Sequence, residues 1–316
     1  MKSLNKDSIG ICILACNRIK HLKKTINAVL KFKNQRDKIH IFLDVHSKND
    51  KPEKIKACEK VQIYLSKIKS KTIIVRVSSF KIGPRNNWFR AYSSMFKIYK
   101  KVIVLEDDIV IKKHFFPFMR YYLNKFEKYP KIMSITGYAS PVNLPNKYQY
   151  DCFLSNRSMS WSKASWKRAW NNFRNIKLDH KKILKSNKNK KLLCSAGKDL
   201  LRTIHLDYLG MVNSFQVWWI WNILKRGGYC VNPTKNLINN IGFDGSGFHM
   251  FRKENFIFNK NLNNKNKRMQ IPIFNKQINN SFQKNFNIKY TSYLFFRYFN
   301  LKIIKTLLKI KYSLLG

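Results

Sequence analysis

Along the first third of the chain, short continuous apolar runs alternate with amphipathic stretches. Ile9–Ala15 is apolar and β-branched, the pattern of a strand buried on both faces. In His21–Phe32 the spacing changes. Leu22, Ile26, Val29 and Leu30 share one helical face, with Lys23, Lys24 and Lys31 off it. The alternation continues with strands predicted at Lys38–Asp44, Thr72–Val77 and Val102–Leu105, and helices at Glu53–Lys67 and Asn87–Tyr99. This βαβαβαβ order predicts an α/β fold with a mostly parallel sheet and helices on both faces.

Further on, His114–Tyr129 reads as a helix despite Pro117 near its start, and Lys131–Thr136 as a strand. The Trp-rich segment Trp161–Trp170 looks helical, and the Lys/Asn-rich stretch Lys181–Lys191 reads as a solvated insertion or loop. A second Trp-bearing helix, Val212–Lys225, precedes a Gly227-Gly228 turn and a polar loop, Asn239–His249. The sequence contains no internal repeat.

The charge pattern changes the picture at the carboxyl end. After Glu254 there is not one acidic residue. In Tyr293–Leu315, Lys302, Lys305 and Lys309 interleave with Ile303, Ile304, Leu307, Leu308 and Ile310. That is the pattern of a basic amphipathic helix lying on an anionic membrane, or of a helix packed on its own domain with lysines in solvent. The expected organisation is a catalytic-type α/β domain at 1–250 and a basic, aromatic-rich, helical extension at 251–316. The whole chain carries 63 Lys and Arg against 16 Asp and Glu, a net charge of +47. Part of the lysine excess travels with a high Asn, Ile and Phe content. The scarcity of acids is what points to an anionic partner.

Six cysteines form no CxxC pair and no zinc-type spacing, and most sit in apolar runs, as reduced thiols of a cytosolic protein do. Ile9–Cys16 is too short for the apolar core of a signal peptide, and no stretch approaches the ~20 apolar residues of a membrane span. The expected location is cytoplasmic, peripheral on the inner face of the cytoplasmic membrane.

Against so basic a background, Glu106-Asp107-Asp108 stands out: three adjacent carboxylates at the end of a predicted strand. Their mutual repulsion grows as the dielectric falls, and a hard divalent cation, Mn²⁺ or Mg²⁺, is the usual compensation. The alternative is a set of acids capping the next helix. Ligands of parallel α/β sheets bind at the carboxyl ends of the strands. Asn17-Arg18 and Asp44 lie at such ends as well.

Ile11–Lys24, with Asn17-Arg18 after the strand, resembles the opening of family 2-like glycosyltransferases. Val102–Phe116 resembles the acidic motif of the N-acetylglucosaminyltransferase I group, and Trp161–Trp170 and Asn236–His249 resemble segments of its bacterial relatives. The resemblance covers residues 9–250 in order and implies a GT-A (Rossmann-like) fold that takes a nucleotide-sugar, with UDP the expected nucleotide, and transfers the sugar with inversion. The acceptor it implies is a surface glycan such as lipopolysaccharide or capsule, or a lipid-linked precursor.

By that resemblance Asp108 ligates the metal, with His249 a second candidate ligand, while Glu106 and Asp107 contact the ribose and donor sugar or orient metal-bound water. Arg18, with Asn17 beside it, suits the diphosphate or the base. Asp44 suits a base edge, with a strand-end turn residue as its competing reading. Arg85, in the loop Gly83–Asn87, is a candidate phosphate contact or a solvated arginine, and Pro84 departs from the family's usual Leu. Trp161 and Trp218 are candidates for sugar stacking, although tryptophans at helical spacing are commonly core. His249 also reads as a surface histidine. Inverting transfer needs a carboxylate base, yet the segment where relatives place it reads Val212-Asn-Ser-Phe-Gln-Val-Trp-Trp219. Asp244, in a Gly-flanked loop, is the substitute candidate beside Asp199 and Asp207. The rival classes are a basic nucleic-acid-binding protein or a metal-dependent nuclease. No nucleic-acid module is present in the sequence, so no nucleic-acid partner is expected.

Overall fold

The computed structural model describes residues 9–138, 140–244 and 269–286. The first part follows the expected alternation: β1 (Ile9–Ala15), α1 (Ile19–Phe32), β2 (Ile39–Leu43), α2 (Pro52–Ser66), β3 (Ile73–Val77), α3 (Gly83–Ile98) and β4 (Lys101–Glu106). Then come β5 (Ile109–Ile111), α4 (Phe115–Lys125), β6 (Ile132–Thr136), β7 (Cys152–Ser155) and β8 (Lys163–Trp166). The short helices α5 (Lys167–Asn171), α6 (His180–Lys185), α7 (Asn187–Cys194) and α8 (Asp199–Tyr208) lead to α9 (Phe215–Lys225). The described part ends with β9 (Tyr229–Pro233), β10 (Ile238–Asn240) and α10 (Lys276–Lys284).

The main sheet runs β3-β2-β1-β4-β8-β6-β9-β7. β3, β2, β1 and β4 are mutually parallel, as are β6 and β9; β8 inserts antiparallel between β4 and β6, and β7 closes the far edge antiparallel to β9. Period two in the strands splits the core between the two faces. Ile9, Ile11 and Ile13 of β1 join Ile103 and Leu105 of β4 against Leu22, Ile26 and Val29 of α1. Cys12, Leu14, Val102 and Val104 face the other way, onto Tyr92 and Met95 of α3 and Trp219 of α9. Helices therefore cover both faces, as the continuous apolar strands predict.

Several elements differ from the sequence reading, each for a local reason. Helix α3 begins at Gly83 rather than Asn87: Pro84 suits a first helical turn, and Asp44 accepts the N–H groups of Ile82 and Gly83, both at 2.9 Å. Trp161–Trp170 is not one helix. Ser162, at φ +57°, turns the chain into β8, where Ala164 and Trp166 point to one core, and only Lys167 onward is helical. Tryptophan spacing concealed that period-two pattern. The Lys181–Lys191 stretch is helical too. Asp179 and Ser186 accept the N–H groups of Lys182 and Asn189, while Ile183 and Leu193 anchor α6 and α7 in the core.

Helix α10 falls within the segment read as an extension, yet it packs on the sheet. Asn275 caps it, and Ile278 and Phe282 bury against Phe153 of β7 and against Val142. Tyr293–Leu315 lies outside the described residues. Among the described residues no helix is long and apolar enough to cross a membrane.

Candidate functional site

Four parallel strands end on one edge of the sheet, and there a cavity of about 590 Å³ opens. Cys16, Asn17 and Arg18 follow β1 into its wall, Asp44 follows β2, and Glu106 ends β4 with Asp107 and Asp108 next. The opposite wall comes from Trp161 and from Asn213 to Gln216 at the start of α9, with Asn240, Gly242 and Phe243 after β10.

Arg18 is the hub. Its guanidinium donates to Asp107 Oδ1 and, at 2.9 Å, pairs with Asp108 Oδ2. Desolvation works against the protonated guanidinium, but Asp107 and Asp108 outweigh it and raise its pKa. The charge compensation expected from a cation is thus supplied in part by an arginine 89 residues away in sequence. It is incomplete. Desolvation pushes Glu106 up to about 8, with Asp108 adding and Arg18 opposing. The same burial pushes Asp107 up to about 6 against the pull of Arg18.

Each acid has a distinct setting. The Asp107 carbonyl accepts from Thr25 Oγ1 of α1 at 2.7 Å, which fixes the backbone of the triplet. Glu106 accepts from Trp88 Nε1 at 3.3 Å. Asp108 is held from the far side: its carbonyl accepts from the Ile241 N–H at 2.9 Å, beside the β5–β10 ladder. Its Oδ1 is buried and has no hydrogen-bond partner among the described residues. A buried carboxylate oxygen without a partner, next in sequence to two more acids, is the donor chemistry of a hard cation, which is commonly held by one or two carboxylates and completed by substrate phosphates. The residues therefore fit a divalent metal, and Asp108 is the side chain that would hold it. No cluster of three or more His, Cys, Asp or Glu with metal-binding geometry occurs among the described residues.

Gly242 marks how closely the β10 segment covers that carboxylate. A Cβ there would lie 2.9 Å from Asp108 Cγ and 3.0 Å from Arg18 Nη1, and would collide with Asp108 Oδ2. Gly242→Ala is expected to displace the Asp108 side chain and weaken Mn²⁺ binding by about tenfold or more, with the fold retained by circular dichroism. Mn²⁺ titration of the two proteins checks it, and equal affinity would refute the close approach.

Other sequence candidates resolve differently. Asp44 reaches the cavity, but its oxygens accept from Ile82 N, Gly83 N and Ser78 Oγ, so it shapes the wall in the manner of a turn residue. Arg85 does not line the cavity, and its guanidinium is largely taken up by the protein. Its Nε donates to Asn213 at 2.7 Å and its Nη2 to Asp207 at 3.0 Å. Trp218 is wholly buried, and its indole N–H is committed to Asp207 Oδ2 at 2.8 Å. It is core, not a stacking platform, because Asp207 turns it inward. Trp161 does line the cavity, set edge-on to Tyr138 and Phe243. Asp244 stands outside the cavity wall and pairs with His21 at 3.1 Å. His249 lies outside the described residues.

Asp207 and Asp199 are structural acids. Asp207 also accepts from Ser214 N at 3.1 Å and bonds His180 at 2.8 Å, which holds the entry to α9. Asp199 takes a two-pronged ion pair from Arg157.

One wall residue and the lysine behind it carried no sequence signal. Trp88 links the wall to Glu106, and behind it Lys163 is fully buried, its ammonium 5.0–5.2 Å from the rings of Trp88, Phe215 and Trp219. Lys163 donates to Gln216, which in turn donates to the Ser158 carbonyl, so the carboxamide facing the cavity has a fixed orientation.

Burial lowers Lys163 from an ordinary 10.5 to about 7, with Cys230 and Glu106 pulling upward. Its folded pKa lies below the unfolded one, so the unfolded chain binds the proton more tightly. The cost is full below about pH 7 and disappears as the pH rises towards 10.5. Lys163→Met should therefore raise the Tm at pH 7 and raise it less at pH 10; an equal shift at both would contradict this electrostatic account.

Residues 2–143 match the model of the GNT-I family, a stretch that is less than half the chain and includes Arg18, Asp44 and the acidic triplet. No curated protein matches the chain. Among solved structures, residues 1–349 of S. aureus TarS align at 12% identity over 52% of this chain and 48% of that one, with a TM-score of 0.36. GalNAc-T7, solved with UDP, GalNAc and Mn²⁺, aligns at 9% identity over 71% of this chain and 42% of that one, with a TM-score of 0.44. The chain thus spans about half the length of the solved chains it matches, and these likenesses are distant. The family-model match and the α/β sheet together give a GT-A-type fold that resembles the GNT-I family.

Proposed function

We propose that this chain is a glycosyltransferase that moves a sugar from a nucleotide-sugar, a UDP-sugar in the first instance, to a glycan or lipid-linked acceptor with the help of a divalent cation. The observation that carries the reading is Asp108 Oδ1, which has no hydrogen-bond partner among the described residues and is buried at the edge where four parallel strands end, beside a cavity of about 590 Å³ that is roomy enough for a nucleotide. The family-model match over the same residues supports it.

In this reading Asp108 would hold the cation, which when bound would supply charge neutralisation as the nucleoside diphosphate departs. Arg18 and the cavity-lining lysines, Lys54 and Lys81, bind and orient the donor's phosphates. Glu106, whose carboxylate accepts from Trp88 among the described residues, takes a hydroxyl of the donor's sugars, and Asn17 contributes an amide to the same wall. Trp161 offers its ring to a sugar. Gln216, fixed by Lys163 and Ser158, orients the group that meets it across the cavity.

A panel of nucleotide-sugars, scored for slow release of nucleoside diphosphate with Mn²⁺ or EDTA, tests the activity. One donor should be cleaved in Mn²⁺ and not in EDTA. Metal-dependent cleavage of DNA or RNA with no donor turned over would favour a nuclease instead.

The same reading places the enzyme on an anionic membrane surface through the basic segment beyond residue 286. Because α10 packs on β7, the informative truncation is after Phe286. It should abolish sedimentation with anionic liposomes; unchanged sedimentation would reject the anchor.

A further inference from the structure

Cys16 and Cys58 are 42 residues apart in sequence, yet their Sγ atoms lie 3.7 Å from each other. Cys16 leaves the end of β1 and lines the cavity; Cys58 sits on the inner side of α2, 3% exposed. Neither thiol is in a disulfide. The two face one another where a water-sized oxidant in the cavity reaches Cys16, and the next two residues in the chain are Asn17 and Arg18.

We infer that Cys16 and Cys58 form a reversible dithiol–disulfide site in the wall of the cavity. A hydrogen bond from Cys16 lowers the pKa of Cys58, with Lys54 adding to it, and the same bond raises Cys16. The pair thus favours a thiolate on Cys58, against the desolvation there, with the Cys16 thiol beside it in line to close the disulfide. With a peroxide as oxidant the balance is two thiols and one H₂O₂ giving one disulfide and two waters. The S–S bond forms, the O–O bond breaks, sulfur is oxidised and the peroxide oxygen is reduced.

Closure from 3.7 Å to the roughly 2 Å of an S–S bond draws the end of β1 towards α2. Arg18 is two residues further on and bridges Asp107 and Asp108. Oxidation therefore shifts the arginine that sets the geometry of the acidic triplet, and it weakens binding in the cavity. This coupling, unlike the disulfide itself, rests on the reading of the cavity as a nucleotide-sugar site.

The test treats the full-length protein with a few equivalents of H₂O₂ and maps cross-linked peptides by mass spectrometry. The expected product is a Cys16–Cys58 link, lighter by two hydrogens, reversed by dithiothreitol and absent in Cys58→Ser and in Cys16→Ser. Cys12, Cys152, Cys194 and Cys230 serve as internal controls and should stay reduced. Oxidation that leaves both thiols free, ends in sulfinic acid at Cys16, or links another pair overturns the site.

UDP binding in Mn²⁺, measured by calorimetry, reads the coupling. Reduced wild type and reduced Cys58→Ser should bind alike, and oxidised wild type at least tenfold more weakly. Equal binding before and after cross-linking overturns the coupling. Absence of UDP binding to the reduced protein overturns it together with the nucleotide-sugar reading, while the cross-link map still decides the disulfide.

Discussion

Replacing Asp108 by alanine is expected to lower sugar transfer by about a thousandfold while leaving the protein folded. A bound cation contributes several kcal/mol of charge stabilisation in a phosphate-releasing transition state, and about 4 kcal/mol corresponds to three orders of magnitude in rate. Asp108 Oδ1 makes no hydrogen bond within the described residues, so its removal breaks no contact at that atom. The Oδ2 contact is shared: Arg18 keeps Asp107 as a partner when Asp108 is gone. Loss of one of three mutually repelling carboxylates also relieves Glu106 and Asp107, both of which it pushes upward. Thermal unfolding within a few degrees of wild type, together with collapsed turnover, is the predicted pair of results. A variant that keeps wild-type turnover in Mn²⁺ would remove Asp108 from the metal site.

Arg18→Ala is expected to do the opposite and damage stability first. The guanidinium is the positive partner of two carboxylates whose side chains are 6% and 9% exposed. Removing one partner from a buried ion pair costs about 3–5 kcal/mol, because the remaining charge stays buried. The expected loss is a Tm drop on the order of 10 °C. The cation that Asp108 is proposed to hold would take over part of the lost compensation. Mn²⁺ should therefore raise the Tm of Arg18→Ala by more than it raises that of wild type. Differential scanning with and without Mn²⁺ measures both numbers. A small Tm change, or the same Mn²⁺ response in the two proteins, would show that Arg18 does not balance the triplet.

The contrast between these two residues shows what the sequence made legible. The strands that deliver Arg18, Asp44 and Glu106 to one edge announce themselves by continuous apolar runs, since a parallel sheet covered on both faces leaves no polar side to its strands. A run that ends in three acids fixes the edge where the site lies. Partnerships across the fold are a different matter. That Arg18 meets Asp107 depends on the neighbouring, parallel placement of β1 and β4, which no local pattern encodes.

Burial of polar groups was the least legible feature. Lys163 reads as a surface residue in any hydropathy pattern, yet antiparallel insertion of β8 opposite Val104 turns it into the protein beneath Trp88 and Phe215. Arg85 and Trp218 looked like ligand contacts because the sequence does not reveal that Asp207 gathers both. Gly242, by contrast, lies within the polar loop Asn239–His249, and the structure adds the reason for a glycine there: the carboxylate of Asp108 occupies the space a side chain would need.

The central claim is that the edge built by Arg18, Asp108 and Gly242 binds a nucleoside diphosphate through a divalent cation. The most direct measurement is the thermal stability of the wild-type protein with UDP, with Mn²⁺, with both, and with UDP in EDTA. The account predicts that UDP and Mn²⁺ together raise the Tm by more than the sum of their separate effects, because each completes the other's coordination. An unchanged Tm in the presence of both, or the same UDP effect in EDTA, would contradict it.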